Sequence, residues 1–149
     1  MSQVFEVCND FNGFVIEARH LFKQNNEELN FFDLPVDLSM NLYETLNSMG
    51  ALRVYLVREE GKLVGYSSFF LQPHMQHKDQ IQAKQDVLYI RPESRGNGLR
   101  FIKWCDAQLQ QDNVSFVFRS VTTFNNWSLL LKRLHYKECE TIYMNDLRE

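Results

Sequence analysis

Cysteine is scarce in this sequence and follows no pattern. Cys8, Cys105 and Cys139 are odd in number, far apart and without a CxxC pair, which argues against a disulfide framework and against a zinc site. A reducing compartment, the cytosol, is the expected setting. An excess of one charge is also missing: 16 Lys and Arg against 19 Asp and Glu leave a formal net charge of -3. No overall basic field exists to draw nucleic acid or an anionic membrane. No apolar run approaches the ~18 residues of a membrane span, and the start "MSQVFEVCND" has neither a basic n-region nor a long apolar core. Repeats, low-complexity tracts and linkers are lacking as well, so the 149 residues are expected to form a single domain, 1–149, with one core.

What is present is a change of period along the chain. "FVIEARHLFKQ" sets Phe14, Ala18, Leu21 and Phe22 at helical spacing, and "DLSMNLYETLNSMG" runs from the capping residue Asp37 to Gly50, so two helices are expected in residues 1–50. Between them "NNEELNFFDLPVD" mixes turn formers with Phe31 and Phe32, the mark of a packed or ligand-facing loop. From residue 51 the period becomes that of strands: "LRVYLVR", the turn "EEGK", then "LVGYSSFFLQ" form a hairpin. "PHMQHKDQIQAKQ" reads as polar connection into a third strand, "DVLYIRP", which Pro92 ends. The pair His74 and His77 lacks a third ligand and reads as part of that connection. A helix follows "RGNG", with Leu99, Ile102, Cys105, Ala107 and Leu109 as inward positions. "SFVFRSV" enters after a helix and is expected parallel to "DVLYI". The short helix "NNWSLLLKRL", with Trp127, Leu129, Leu130 and Leu131 in the core, and a last strand, "KECETIYMNDL", complete the pattern.

"RPESRGNGLR", residues 91 to 100, therefore sits at a strand-to-helix turn of a β-α-β unit, where ligands commonly bind. Gly96 and Gly98 allow backbone conformations that other residues resist. The first helical turn offers N–H donors without intrahelical partners, suited to a phosphate or pyrophosphate, and Arg95 and Arg100 add charge. A tight turn with no ligand explains an isolated "RGNG" equally well. GxGxxG and GxxxxGK[ST] are both absent, which excludes a dinucleotide fold and a P-loop.

In this order the motifs resemble those of the GCN5-related N-acetyltransferase family, over roughly residues 51 to 146. "EEGKLVGYSSF" resembles the family's β2–β3 hairpin. "LYIRPESRGNG" resembles its acetyl-CoA-binding motif, with Leu88, Ile90, Pro92, Arg95, Gly96 and Gly98 in register. "NNWSLLLKRLHYKE" resembles its late helix and following strand. The resemblance implies an α/β (α+β) fold: a mixed sheet of six to seven strands with a β2-β3-β4 meander, a splay between two parallel central strands, and four flanking helices. Residues 1–50 would shape the acceptor side and residues 51–146 the cofactor core. It implies acetyl-CoA as cosubstrate, held by Leu88, Tyr89 and Ile90 along the strand, by Arg95, Gly96, Asn97, Gly98, Leu99 and Arg100 around the pyrophosphate, and by Asn125. It implies direct attack of a primary amine, from a small molecule or a protein, on the acetyl carbonyl without a metal, and it admits a homodimer.

Two departures stand beside the matches. Arg100 occupies the last position of the pyrophosphate signature, normally Gly or Ala; it would either swing outward or crowd the phosphate. Leu131 falls where many members carry the tyrosine that protonates the leaving thiolate, and counting from Asn125 and Ser128 puts Lys132 there instead. His135 and Tyr136 stand where Gly and Phe are common. Tyr136 is the replacement acid carried forward, with water and Tyr143 as alternatives. Asp86 lies near the start of the central strand, where family members often carry an acidic residue, and is the candidate base; a solvated strand-end carboxylate is the plainer reading of the same residue. Glu27, Glu28, Asp33 and Asp37, near Phe31, Phe32 and Tyr43, would receive a cationic amine; surface solubility accounts for the same acids. The departures keep open a second function: a binding module on the acetyltransferase fold that acts through a macromolecular partner.

Overall fold

The change of period at residue 51 corresponds to a change from helices to sheet in the computed structural model, which describes residues 2–29 and 32–148. The elements are β1 (Gln3–Val7), α1 (Phe11–Glu17), α2 (Arg19–Leu29), α3 (Met40–Ser48), β2 (Leu52–Glu59), β3 (Lys62–His74), β4 (His77–Ile90), a 3-10 turn (Pro92–Asn97), α4 (Gly98–Gln111), β5 (Phe116–Phe118) and α5 (Ser128–Arg133). One five-stranded sheet has the order β1-β2-β3-β4-β5. It is antiparallel from β1 to β4 and parallel between β4 and β5. The architecture is the expected mixed α/β one with its meander.

The first helical pattern is split in two. Asp10 caps α1 by accepting from the Gly13 N–H at 3.0 Å, the helix ends at Ala18, and α2 continues. Phe14, Ala18, Leu21 and Phe22 are buried as their spacing predicts, against Leu56, Tyr66 and Tyr89 on one face of the sheet. On the other face α4 buries Phe101, Cys105 and Leu109 against Tyr55, Val57, Phe69 and Ala83, and Ile102 is buried as well. The stripe is Phe101 with Ile102, then one and two turns on, which leaves the expected Ala107 exposed. Leu131 of α5 is buried, whereas Leu129 is 71% exposed.

The sheet differs from the six to seven strands expected. Residues 137–148 form no strand, and all of them are exposed; β5, at three residues, offers almost no edge to pair with. The segment instead reaches back so that Arg148 Nη2 donates to the Phe32 carbonyl at 3.0 Å. β1, hidden in sequence beside a helical pattern, lines the opposite edge by pairing with β2. "PHMQHKDQIQAKQ" is not a connection but the far end of the β3–β4 hairpin, turning at Met75 and Gln76 between His74 and His77. Largely exposed from Gln72 to Gln80, that arm loses the apolar alternation by which a strand is recognised. Among the described residues no helix is long and apolar enough to cross a membrane.

Gly65 is required by packing. A Cβ there would meet the Tyr89 carbonyl oxygen at 2.7 Å and Ile90 Cα at 2.9 Å, closer than real side chains approach. The glycine of the hairpin signature thus lets β3 come close to the end of β4. That end is one wall of the site.

Candidate functional site

β4 and β5 pair at only three positions: Gln82 with Phe116, Ala83 with Val117, and Lys84 with Phe118. Beyond them the chain leaves β4, and a cleft of about 330 Å³ opens between the β4 edge from Gln85 to Ile90 and the segment carrying Ser120, Thr122 and Asn125. Asn25 and Leu29 of α2 line it from one side of the sheet, and Gly98 and Ile102 of α4 and Leu130 of α5 from the other. The splay follows from the shortness of β5.

At one end the cleft meets the N-terminus of α4. Gly98 has φ -55° and ψ -40°, ordinary helical values, and Gly96 is not among the residues with positive φ. These glycines are therefore not needed for unusual backbone, contrary to the sequence expectation. A Cβ built on either meets nothing within 4 Å: what they leave is open space in front of the start of α4, at the positive end of its dipole, although the Gly98 N–H itself donates to the Arg95 carbonyl of the preceding turn. The turn before them is held from beneath. Ser94 Oγ donates to Glu59 Oε2 at 3.0 Å and accepts from Arg91 Nε at 3.0 Å; Gln3 Nε2 donates to Glu59 Oε1 at 2.7 Å and to the Ser94 carbonyl at 2.8 Å. The hydrogen bonds from Gln3 and Ser94, with the Arg91 charge, hold the Glu59 carboxyl below its ordinary pKa.

Arg95 lines the cleft. Its Nε donates to the Ile90 carbonyl at 2.7 Å and its guanidinium lies 5.5 Å from the Tyr89 ring centroid. Its Nη2 donates to both oxygens of Glu28, and Asn125 Nδ2 donates to the same carboxylate at 3.5 Å. Arg100 turns outward: its guanidinium stacks over Phe5, 5.8 Å from the ring centroid, and it is not part of the lining. The departure from the motif leaves the start of α4 uncrowded.

At the other end β4 carries a bulge. Ser68 pairs with Val87 and Phe69 with Gln85, so Asp86 is the extra residue, turned out of the ladder. Asp86 Oδ2 accepts from Tyr43 Oη at 2.6 Å and from Ser68 Oγ at 2.9 Å, and the residue lines the cleft. Burial, then the neighbouring Asp86 charge, pushes the Tyr43 hydroxyl well above its ordinary pKa, so it stays a donor. Gln85 closes the narrow end: its Nε2 donates to the Ser120 carbonyl at 3.3 Å and its Oε1 accepts from Arg119 Nη1 at 3.1 Å.

Solved structures share this fold at low sequence identity. A ribosomal-protein-alanine N-acetyltransferase from Brucella melitensis biovar Abortus 2308 has TM-score 0.76 and 15% identity, with 100% of both chains covered. Glucosamine-6-phosphate N-acetyltransferase from Arabidopsis thaliana has TM-score 0.72 and 11% identity over 99% of this chain and 100% of that one. A predicted acetyltransferase from Clostridium acetobutylicum, solved with acetyl-CoA, has TM-score 0.70 and 11% identity over 98% of this chain and 97% of that one. The chain has the fold of the GCN5-related N-acetyltransferases. Comparison by sequence finds no matching family model and no matching curated protein.

Within this acetyltransferase fold the expected site residues divide. Asp86, Leu88, Tyr89, Ile90, Arg95, Gly98 and Asn125 are brought together around the cleft, while Gly96, Asn97 and Leu99 flank Gly98 at the start of α4. Tyr136 lies outside the lining. Its hydroxyl donates to Asp106 Oδ2 at 2.6 Å and accepts from Arg119 Nε at 3.1 Å, and burial raises its pKa. Leu131 is buried. Burial also pushes the Cys105 thiol up to about 12, which leaves no thiolate for nucleophilic work. Of the acceptor-side residues, Tyr43 serves Asp86 and Glu28 serves Arg95; Glu27 lies 4.0 Å from Lys23 on the exposed side of α2, Asp33 and Asp37 are exposed, and Phe31 lies outside the described residues. Sequence reasoning missed Thr122, whose Oγ1 is buried in the cleft wall without a hydrogen-bond partner.

Proposed function

We propose that the chain is an acetyl-CoA-dependent N-acetyltransferase acting on a primary amine. The observation that carries this reading is one continuous cleft with the uncrowded start of α4 at one end and a bulged carboxylate, Asp86, at the other. The acetyl-CoA bound by a structural neighbour of the same fold supports it.

In this reading the start of α4, around Gly96, Asn97, Gly98 and Leu99, faces the pyrophosphate with the positive end of the helix dipole, with Arg95 and Asn125 beside it. The β4 edge through Leu88, Tyr89 and Ile90 offers main-chain donors and acceptors to the pantetheine arm. The amine nitrogen attacks the thioester carbonyl as the C–S bond breaks. Asp86 takes the proton the amine gives up, and Tyr43 and Ser68, both bound to Oδ2, fix the orientation of its carboxylate. The unpartnered Thr122 hydroxyl donates a hydrogen bond to the departing sulfur, which takes its proton from water. Tyr136 has no part in this sequence, since Asp106 and Arg119 occupy its hydroxyl.

Thiol release from acetyl-CoA, followed across amino sugars, aminoglycosides, polyamines and peptide amines, tests the reading. At least one class should accelerate release well above hydrolysis and yield its acetylated product. Hydrolysis alone across the panel would contradict it.

A further inference from the structure

We propose that Gln85 sets the length of acyl chain that this cleft accepts, admitting acetyl and excluding longer groups; the inference rests on the acyl-CoA reading above. Gln85 follows the last paired residue of β4, Lys84, and so stands where the two strands begin to part. Its side chain crosses the gap, with Nε2 on the Ser120 carbonyl at 3.3 Å and Oε1 on Arg119 Nη1 at 3.1 Å. The anchor of this crossbar does not move easily. The Arg119 side chain is 0% exposed, its guanidinium lies 4.8 Å from the Phe69 ring centroid, and Asp106 Oδ1 and Tyr136 Oη meet its remaining nitrogens at 3.3 and 3.1 Å.

Position along the cleft makes the crossbar a gauge. With the anion at the start of α4, the arm runs down β4 from Ile90 towards Gln85, five residues or about 17 Å at ~3.3 Å per residue. The acyl carbon then arrives beside the Asp86 bulge, and the chain beyond it points at the Gln85 amide. A methyl group ends short of the crossbar. Each further methylene gains apolar burial only by displacing the amide, which takes the acceptor away from the buried Arg119 Nη1. The sequence of the strand alone does not disclose this, because the crossbar exists only where β5 stops pairing.

The test is equilibrium binding of CoA, acetyl-CoA, butyryl-CoA and hexanoyl-CoA to the full chain and to Gln85→Ala and Gln85→Asn. Wild type should bind acetyl-CoA at least tenfold tighter than hexanoyl-CoA. Gln85→Ala should bring the two within threefold while CoA itself changes less than twofold. Gln85→Asn, one methylene shorter and still polar, should improve butyryl-CoA relative to acetyl-CoA, and it decides the matter if the alanine variant does not fold. CoA binding with a chain-length profile identical in wild type and variants would overturn the crossbar and leave the acyl-CoA reading standing. Failure of wild type to bind CoA would overturn both.

Discussion

Glu28 holds Arg95 across the mouth of the cleft, with Arg95 Nη2 2.9 and 2.8 Å from its two carboxylate oxygens. The pair ties α2 to the turn that precedes α4. In the proposed acyl-CoA site, an arriving phosphate would share Arg95 with a carboxylate already in place. Glu28→Gln should therefore tighten CoA binding, not weaken it, by about 1.4- to fivefold, the range of a partly exposed ion pair worth ~0.2–1 kcal/mol. Calorimetric titration of both proteins at one ionic strength measures the change; weaker binding in the variant would mean that Glu28 orients Arg95 and does not compete for it.

Gly98→Asp separates binding from folding. The backbone at Gly98 is ordinary helix and a Cβ meets open space, so the fold has room for the side chain, and a carboxylate in a first helical turn is favourable to the helix dipole. Thermal unfolding should be unchanged or slightly raised. CoA affinity should fall at least tenfold, because the new anion stands where the pyrophosphate would. Unaltered affinity in a folded variant would place the anion site elsewhere.

Asp86→Asn should lower kcat by about 10²-fold or more, the usual contribution of a general base, with acetyl-CoA affinity within twofold of wild type. Tyr43→Phe removes one of the two hydrogen bonds to Oδ2 and should produce a smaller loss in kcat together with a displaced pH profile. Steady-state kinetics across pH reads both. Equal activity of Asp86→Asn and wild type would assign the proton to water.

Thr122→Val tests the unpartnered hydroxyl. A buried hydroxyl without a partner gives the fold nothing and carries a desolvation cost of ~1–3 kcal/mol, so the valine variant should unfold at the same temperature or higher. If the hydroxyl serves the departing sulfur, kcat should fall while stability does not. Loss of stability with kcat intact would show a structural hydroxyl.

What could be read from sequence was local. The turn before Lys62, the hairpin pattern around Gly65, and the strand, "RGNG" and helix succession each depend on neighbouring residues, and each stands in the structure. The cleft depends on non-local pairing. Asp86 was visible as a carboxylate near a strand, but the bulge that turns it outward exists only in register with Ser68 and Phe69. Arg100 was an open question because its partner, Phe5, lies on a strand at the far end of the chain. Thr122 sits in irregular backbone, where no periodicity marks which side chains turn inward. The final segment has strand-like composition, yet residues 137–148 find no edge to join, since β5 spans only Phe116–Phe118.

Titration of acetyl-CoA into the purified protein, followed by heat and by thermal shift, tests the account most directly. Ligand at a hundredfold excess over Kd stabilises the fold by about 2.7 kcal/mol, so saturable one-site binding with a rise in Tm is the expected result, and Gly98→Asp should abolish both. Absence of heat and of any shift at millimolar acetyl-CoA, in protein shown to be folded, would contradict it.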